Sequence, residues 1–501
     1  MLVSLRAQVA NLARRIRMDV GSLRARMTQL IAKAQVVVLA PVHAARTAVR
    51  SVRAILLEWR RFLGEPGYRP YRNQALAAGA VGALTGPGLA LPLLLILGMS
   101  PALVTLVLTA TLAGPAMQVL MPGALRRSGG RFRWLTTILL GAGETVGLWV
   151  APILLGVIFL GWSPDLALIA VSASIFVTGF ASGTGFSNLG VWFHIVLPES
   201  ERRFVAPRTA GVSVGMAALI LLPIALGLDA VVSFAHSELP TLPSVGILPF
   251  ALFYAAGGLA GLLELRAVRA FPTPGRVLPA KISRADRHDS PELSHFLRIA
   301  GLAAAGSGLG PYLSIYAMTI LHASPGFAVS LSAMSLAASI AASTVVAAIL
   351  AHRSSSRTLR LAYLTLGSGY ALALGANPLI ADALVILACA NLLISVGGAV
   401  ARLAVNERLF RLIRDARDAD PLSASARFIG LTSAGAAGGQ TITALVLALA
   451  PPVYLVYGAL FALSGLSRFW TAGAMEVSPS WDSAVNERYG RRVEYINSHH
   501  S

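Results

Sequence analysis

GALRRSGGRFR, residues Gly123 to Arg133, is a short basic turn between two apolar runs, each long enough to cross a bilayer. On its N-terminal side, Pro101 to Pro122 carries no charged residue; on the other, Trp134 to Gly161 carries only Glu144. Glycines at 123, 129 and 130 allow a tight reversal. Arg126, Arg127, Arg131 and Arg133 favour the cytosolic headgroups, where short loops between membrane helices collect basic residues. The stretch therefore reads as a cytosolic hairpin between two membrane helices.

The composition agrees. Hydrophobic residues make up 55% of the 501, charged residues only 13%, and the mean hydropathy is +0.69. Soluble domains carry about 25% charged residues, so this is the composition of a polytopic membrane protein. A net charge of +19 on a soluble surface would point to nucleic acid, but the position of the charge decides its meaning. All 41 Lys and Arg residues fall in segments that the alternation of spans and loops puts on the cytosolic side. No nucleic-acid partner is expected.

The only two lysines, Lys33 and Lys281, each follow Ala, which excludes a GxxxxGK[ST] phosphate loop and with it ATP hydrolysis by this chain. Cys389 is the single cysteine, so no internal disulfide staples the outer loops. The first 30 residues scatter their arginines and show no secretory signal, although an Arg-rich, acid-poor start also resembles a mitochondrial presequence. No HExxH or CxxC pattern is present, and His194 and His322 are not spaced as metal ligands. No metal or cofactor is expected.

Residues 1–73 form a basic extension in which Leu5, Val9, Leu12, Ile16 and Val20 recur at helical spacing, and the pattern returns after Pro41. Such helices lie in the interface and favour anionic lipid; setting orientation, self-association and docking of a cytosolic partner are the other roles open to it. From Gln74 the spans read as 74–99, 101–122, 134–161, 166–187, 209–228 and 246–265. The Pro-rich charged segment 266–297 reads as a cytosolic linker. The second half reads as 298–321, 326–351, 358–376, 381–403, 428–450 and 453–471, with a cytosolic tail at 472–501. That is an all-α membrane protein of twelve helices in two six-helix halves, 74–265 and 298–471, with both termini cytosolic.

This organisation, together with Gly123, Gly130 and Arg131 in the first basic turn and the segment Trp192 to Arg208 after the fourth span, resembles the major facilitator superfamily. The turn departs from the family's pattern: Arg127 stands where the family carries an Asp that latches the two halves, and Ser128 stands at the next basic position. The resemblance implies a substrate site between the halves near the midplane, with Gly123, Arg127, Gly130 and Arg131 as a cytoplasmic gating loop. It names no subfamily.

Glu144, in GAGETVG, lies ten residues into its span, or about 15 Å at ~1.5 Å per residue, near the bilayer midplane. An acid there costs roughly 2.5–3.5 kcal/mol when charged, so it is protonated, paired or next to water. Those states suit a proton-coupling residue, and a packing role is the alternative. Thr85, in TGPG, and Tyr312 and Tyr316, after GSGLGP, mark breaks at matching places in the two halves, a pointer to a transporter's site. Ser182 in the fourth span and Asn391 in the tenth complete the expected cavity. No paired acids, metal ligands or nucleophile with its base are visible within the spans, which argues against an enzyme.

The sequence thus predicts a secondary transporter in a bacterial inner membrane, moving a small molecule by alternating access and driven by protons, or a uniporter if Glu144 only packs. The rival reading is a receptor or anchor with a transporter-like body, whose basic extension binds anionic lipid or a cytosolic partner.

Overall fold

In a computed structural model of the chain, the described residues are 57–119, 132–238, 245–272, 291–310, 312–350, 355–415, 421–450 and 453–474. The expected gating residues Gly123, Arg127, Gly130 and Arg131 lie outside them, as do most of the basic extension and the tail. The chain divides into Met1–Arg61 and Phe62–Ser501; residues 57–61, the described part of the first unit, are helical. All the labelled helices belong to the second.

Interruptions in the apolar runs shape the first half. Its first span is two helices, α1 (Arg69–Leu84) and α2 (Pro87–Ile96), separated at Thr85 and Gly86. Pro87 offers no N–H to continue the ladder, and a Cβ on Gly86 would lie 2.1 Å from the Gly82 carbonyl, so only glycine fits that bend. Ser100 caps α3 (Pro101–Ala116) by accepting from the Leu103 amide. The third span is also broken, into α4 (Phe132–Glu144) and α5 (Val146–Phe159), with Thr145 between them donating to the Gly141 carbonyl at 2.6 Å. Long helices follow: α6 (Pro164–Val196), α7 (Glu199–Glu238) and α8 (Leu248–Arg269).

The second set repeats this plan. Its first span is again two pieces, α9 (Pro291–Gly308) and α10 (Leu313–Thr319). Then come α11 (Pro325–Leu350), α12 (Ser355–Ala373), α13 (Ala383–Asp415), α14 (Pro421–Leu449) and α15 (Tyr454–Ala474). Helix thus covers both edges of the expected linker 266–297, since α8 runs on to Arg269 and α9 starts at Pro291. Pro291 is tolerated at a helix start, and Glu292 favours the same end.

Helix pairing is also repeated. In the first set α1 packs on α7 and α8, α3 on α6, and the α4/α5 pair on α6 and α8. In the second, α9 packs on α14 and α15, α11 on α13, and α12 on α13 and α15. The sets meet through α3 against α14 and α7 against α11.

Eight described helices or helix pairs are long and apolar enough to cross a membrane: 66–96, 101–119, 134–159, 164–190, 204–234, 248–269, 325–342 and 383–413. The segments α9/α10, α12, α14 and α15, also read as spans, are helical but less apolar; α14 is rich in Gly, Ala, Ser and Thr, and α15 contains Arg468. Large apolar side chains face outward along these helices, with Leu226 80% exposed and Leu219 70%. Exposed apolar surface on helices of this length suits hydrocarbon and not water, and the chain is an integral membrane protein.

The break between α9 and α10 frees backbone carbonyls, and α14 satisfies them: the Thr443 hydroxyl lies 3.2 Å from the Gly308 carbonyl and 3.0 Å from that of Leu309. Thr443→Val keeps the shape and removes the donor. It should lower unfolding free energy by roughly 0.6–1.7 kcal/mol, the range of interhelical hydrogen bonds in membranes; a thermal melt in detergent identical to wild type would show that this hydroxyl supports nothing.

Candidate functional site

Glu144 closes α4 just before the Thr145 break, and three helices converge on it. Gly143 sits so close to α6 that a Cβ there would come within 2.5 Å of the Ser182 Cβ. From the other side α8 presents Gly261, where a Cβ would lie 2.0 Å from the Glu144 carbonyl oxygen. These approaches set the side chains. Ser182 Oγ donates to Glu144 Oε1 at 2.5 Å. One turn beyond Gly261, the Glu264 carboxyl comes within hydrogen-bonding reach of Glu144.

Glu264 is fully buried and Glu144 is 2% exposed. On its far side Glu264 Oε1 accepts from Gln74 Nε2 of α1 at 2.7 Å, while Oε2 meets no hydroxyl, amide or basic donor. Among the described residues no basic side chain pairs with either acid. Arg266 and Arg269, on the next turn of α8, point outward. A chain of four side chains, Ser182, Glu144, Glu264 and Gln74, thus crosses from α6 through α4 and α8 to α1. Two acids in contact cannot both ionise cheaply, so the pair shares at least one proton.

Beside Glu144 lies a cavity of about 110 Å³ between α1, α2, α3, α4 and α6. Thr85, Glu144 and Ser182, three of the expected site residues, line it together. Tyr312, Tyr316 and Asn391 do not. Tyr312 stands at the start of α10 against the apolar core. Tyr316 is fully buried, its hydroxyl donates to the Ala376 carbonyl, and its ring packs 5.3 Å from those of Tyr457 and Phe461. Asn391 ties α13 to α11 by donating to the Leu331 carbonyl at 2.7 Å and accepting from Ser335 Oγ at 3.0 Å. The reason is common to the last two: a polar group inside an apolar bundle is drawn to the nearest free backbone or hydroxyl partner.

The expectation of no paired acids within the spans is overturned by Glu144 and Glu264. In the sequence Glu264 sits beside Leu265 and Arg266 and reads as the polar end of a span. Because α8 continues to Arg269, the acid lies more than a turn inside the helix. Arg468 was missed for a similar reason. Read as a cytosolic base, it is 3% exposed, donates to the Ala303 carbonyl at 2.7 Å and lies 5.9 Å from the centre of the Tyr363 ring. A further buried amide pair, Gln118 Nε2 to Asn188 Oδ1 at 2.8 Å, joins the end of α3 to α6.

No family model matches the sequence, and no curated protein does. Solved structures do. A nucleoside transporter, NupG in a D323A mutant, superposes with a TM-score of 0.57 at 11% identity over 81% of this chain and 98% of that one. A D-xylose–proton symporter gives 0.56 at 14% identity over 80% and 95%. A bacterial homologue of the iron transporter ferroportin, in its inward-facing state, gives 0.52 at 15% identity over 85% and 98%. This chain has the fold of the major facilitator transporters.

Gly261→Ala tests the convergence on Glu144. The new Cβ must push α8 from α4, a strain that typically costs about 1–3 kcal/mol, and should separate the acids. Gly438→Ala on α14, where a Cβ would meet nothing within 4 Å, is the control and should stay within about 0.5 kcal/mol of wild type. Equal melting of the two variants would mean that α4 and α8 are not held this closely.

Proposed function

We propose that this chain is a secondary transporter that moves a small molecule by alternating access, driven by protons carried on Glu144 and its partner Glu264. The observation that carries the reading is a buried acid pair, without a basic partner among the described residues, one member of which, Glu144, lines a cavity beside a broken first helix. Intramembrane acids of this kind mark ion and proton pathways, and discontinuous helices surround the sites of many transporters. One similar structure is a proton symporter by its description, which is consistent with coupling. The transporter likeness also favours a non-enzyme and, over the receptor or anchor reading, a chain that moves its ligand.

In this reading twelve helices cross a bacterial inner membrane, 74–265 and 298–471 rock against each other about the linker 266–297, and both termini are cytosolic. The extension 1–73 lies on anionic lipid. Tyr312, Tyr316 and Asn391 then brace the second half, and the loop with Gly123, Arg127, Gly130 and Arg131 gates the cytosolic side. The end bearing Asp229 is the outer one. There the Asp229 carboxylate of α7 accepts from Ser324 Oγ at 2.6 Å and from the Gly326 amide at 2.8 Å, where α11 begins. This carboxylate on a helix N-terminus joins the two sets of helices and serves as an outer clasp.

Two measurements test the proposal. In proteoliposomes screened with labelled metabolites, wild type should accumulate its substrate only under a proton gradient, and Glu144→Gln should lose accumulation; accumulation unaffected by a protonophore would sink the coupling. In a Cys389→Ala background, a cysteine replacing Met318, near the C-terminal end of α10, should react faster with an outside thiol reagent once Asp229→Ala is added, by several-fold. An unchanged rate would remove the clasp from the mechanism.

A further inference from the structure

The cavity beside Glu144 has a chemical bias. Val81, Leu108 and Phe186 give it apolar walls, and Thr85, Thr111, Thr178 and Ser182 give it hydroxyls. Each of these hydroxyls has already spent its only proton. Thr85 donates to the Val81 carbonyl at 3.0 Å, Thr111 to that of Leu108 at 2.8 Å, Thr178 to that of Ser174, and Ser182 to Glu144 at 2.5 Å. What they offer the cavity is lone pairs. Among the described residues no Lys, Arg or His borders it, and its one ionisable wall is Glu144. The space therefore has acceptors, one acid and apolar surface, and no side-chain donor once Glu144 is ionised.

We infer that this cavity binds a small protonated amine with an apolar body, whose ammonium group takes the place of one proton on the Glu144–Glu264 pair. The inference rests on the proton-coupled reading and supplies its substrate class. An anion would meet no basic group and a single donor, the protonated Glu144. Calcium wants about six to eight oxygens and zinc about four ligands, and among the described residues no three His, Cys, Asp or Glu side chains gather. At about 110 Å³ the cavity is smaller than the ~300–1,000 Å³ of sites for drug-sized ligands, so the occupant is small.

Charge balance gives the exchange. With no cation near, an ionised carboxylate at this depth is uncompensated, so both acids hold their protons while the cavity is empty. When the ammonium enters, the O–H bond of Glu144 breaks and its proton passes to water. The carboxylate pairs with the ammonium, and the Glu264 proton bridges the two acids. One cation enters and one proton leaves, and the charge of the site is conserved. The groups facing the pair from each packed helix are Ser182 of α6 and Gln74 of α1, neither of which titrates.

The test uses the full chain in lipid nanodiscs in weak buffer near neutral pH, with benzylammonium as probe and a pH-indicating dye. Binding should release about one proton per bound amine. Benzyl alcohol, of the same shape but uncharged, should release none, and neither should sodium or potassium chloride. Glu144→Gln, with its melting temperature checked, should lose the release and weaken binding at least tenfold. Ser182→Ala keeps the acid and the cavity, and should weaken binding several-fold with the stoichiometry intact. Release by sodium, equal binding of benzyl alcohol, no binding of the amine, or full release in Glu144→Gln would each overturn the proposal. Failure here leaves coupling to a substrate of another class intact. Release without any amine-driven proton flux in vesicles would instead refute transport.

Discussion

Backbone contact at two glycines underlies the site. Gly143 brings α4 against Ser182 of α6, and Gly261 brings α8 against the carbonyl of Glu144. With helices this close, the side chain following Gly143 and the one a turn after Gly261 have little choice but to meet. Membrane helices gain nothing from hydrophobic exclusion against lipid, so small residues that permit close packing, together with interhelical hydrogen bonds, take over as the organising interactions. The polar chain from Ser182 to Gln74 is the local product of that packing.

The breaks in the helices follow from the same economy. A Pro or Gly interruption frees backbone groups that hydrocarbon cannot satisfy. At Gly308 and Leu309 the Thr443 hydroxyl of a neighbouring helix takes up the carbonyls, and at Thr145 the threonine bonds back to its own helix. Breaks are therefore affordable only inside the bundle. They leave room there, as at Thr85 and Gly86, where the cavity opens beside Glu144. In the second set the rings of Tyr316, Tyr457 and Phe461 pack together at α10, so the two sets share a pairing order and differ in what packs beside their broken helices.

Much of this was legible in the chain. Hydropathy and the clustering of arginines defined a membrane protein, because the cost of a charge in hydrocarbon exceeds what most local contacts return. The matched TGPG and GSGLGP motifs marked the broken first helix of each set, since Pro lacks an amide wherever it sits, while the break at Thr145 carried no such motif. Glu144 stood out by depth alone. Glu264 did not, because an acid beside an arginine at the end of an apolar run looks the same whether the helix stops there or continues to Arg269. Asn391 and Tyr316 were read as cavity polar groups, but only the fold shows the carbonyls that claim them.

The sequence by itself determined the solvent of this protein, its helical class, the repeat of its plan and the presence of one deep acid, all of which follow from residue-by-residue transfer costs and backbone chemistry. The tertiary structure alone decided which polar groups meet. It joined Glu144 to Glu264 across 120 residues of chain, put Ser182 and Thr85 on one cavity, and bonded Tyr316 and Asn391 to backbone carbonyls. Pairing between helices depends on rotation and closest approach of whole rods, set by glycines that carry no polarity of their own, and so leaves no mark in hydropathy or motif.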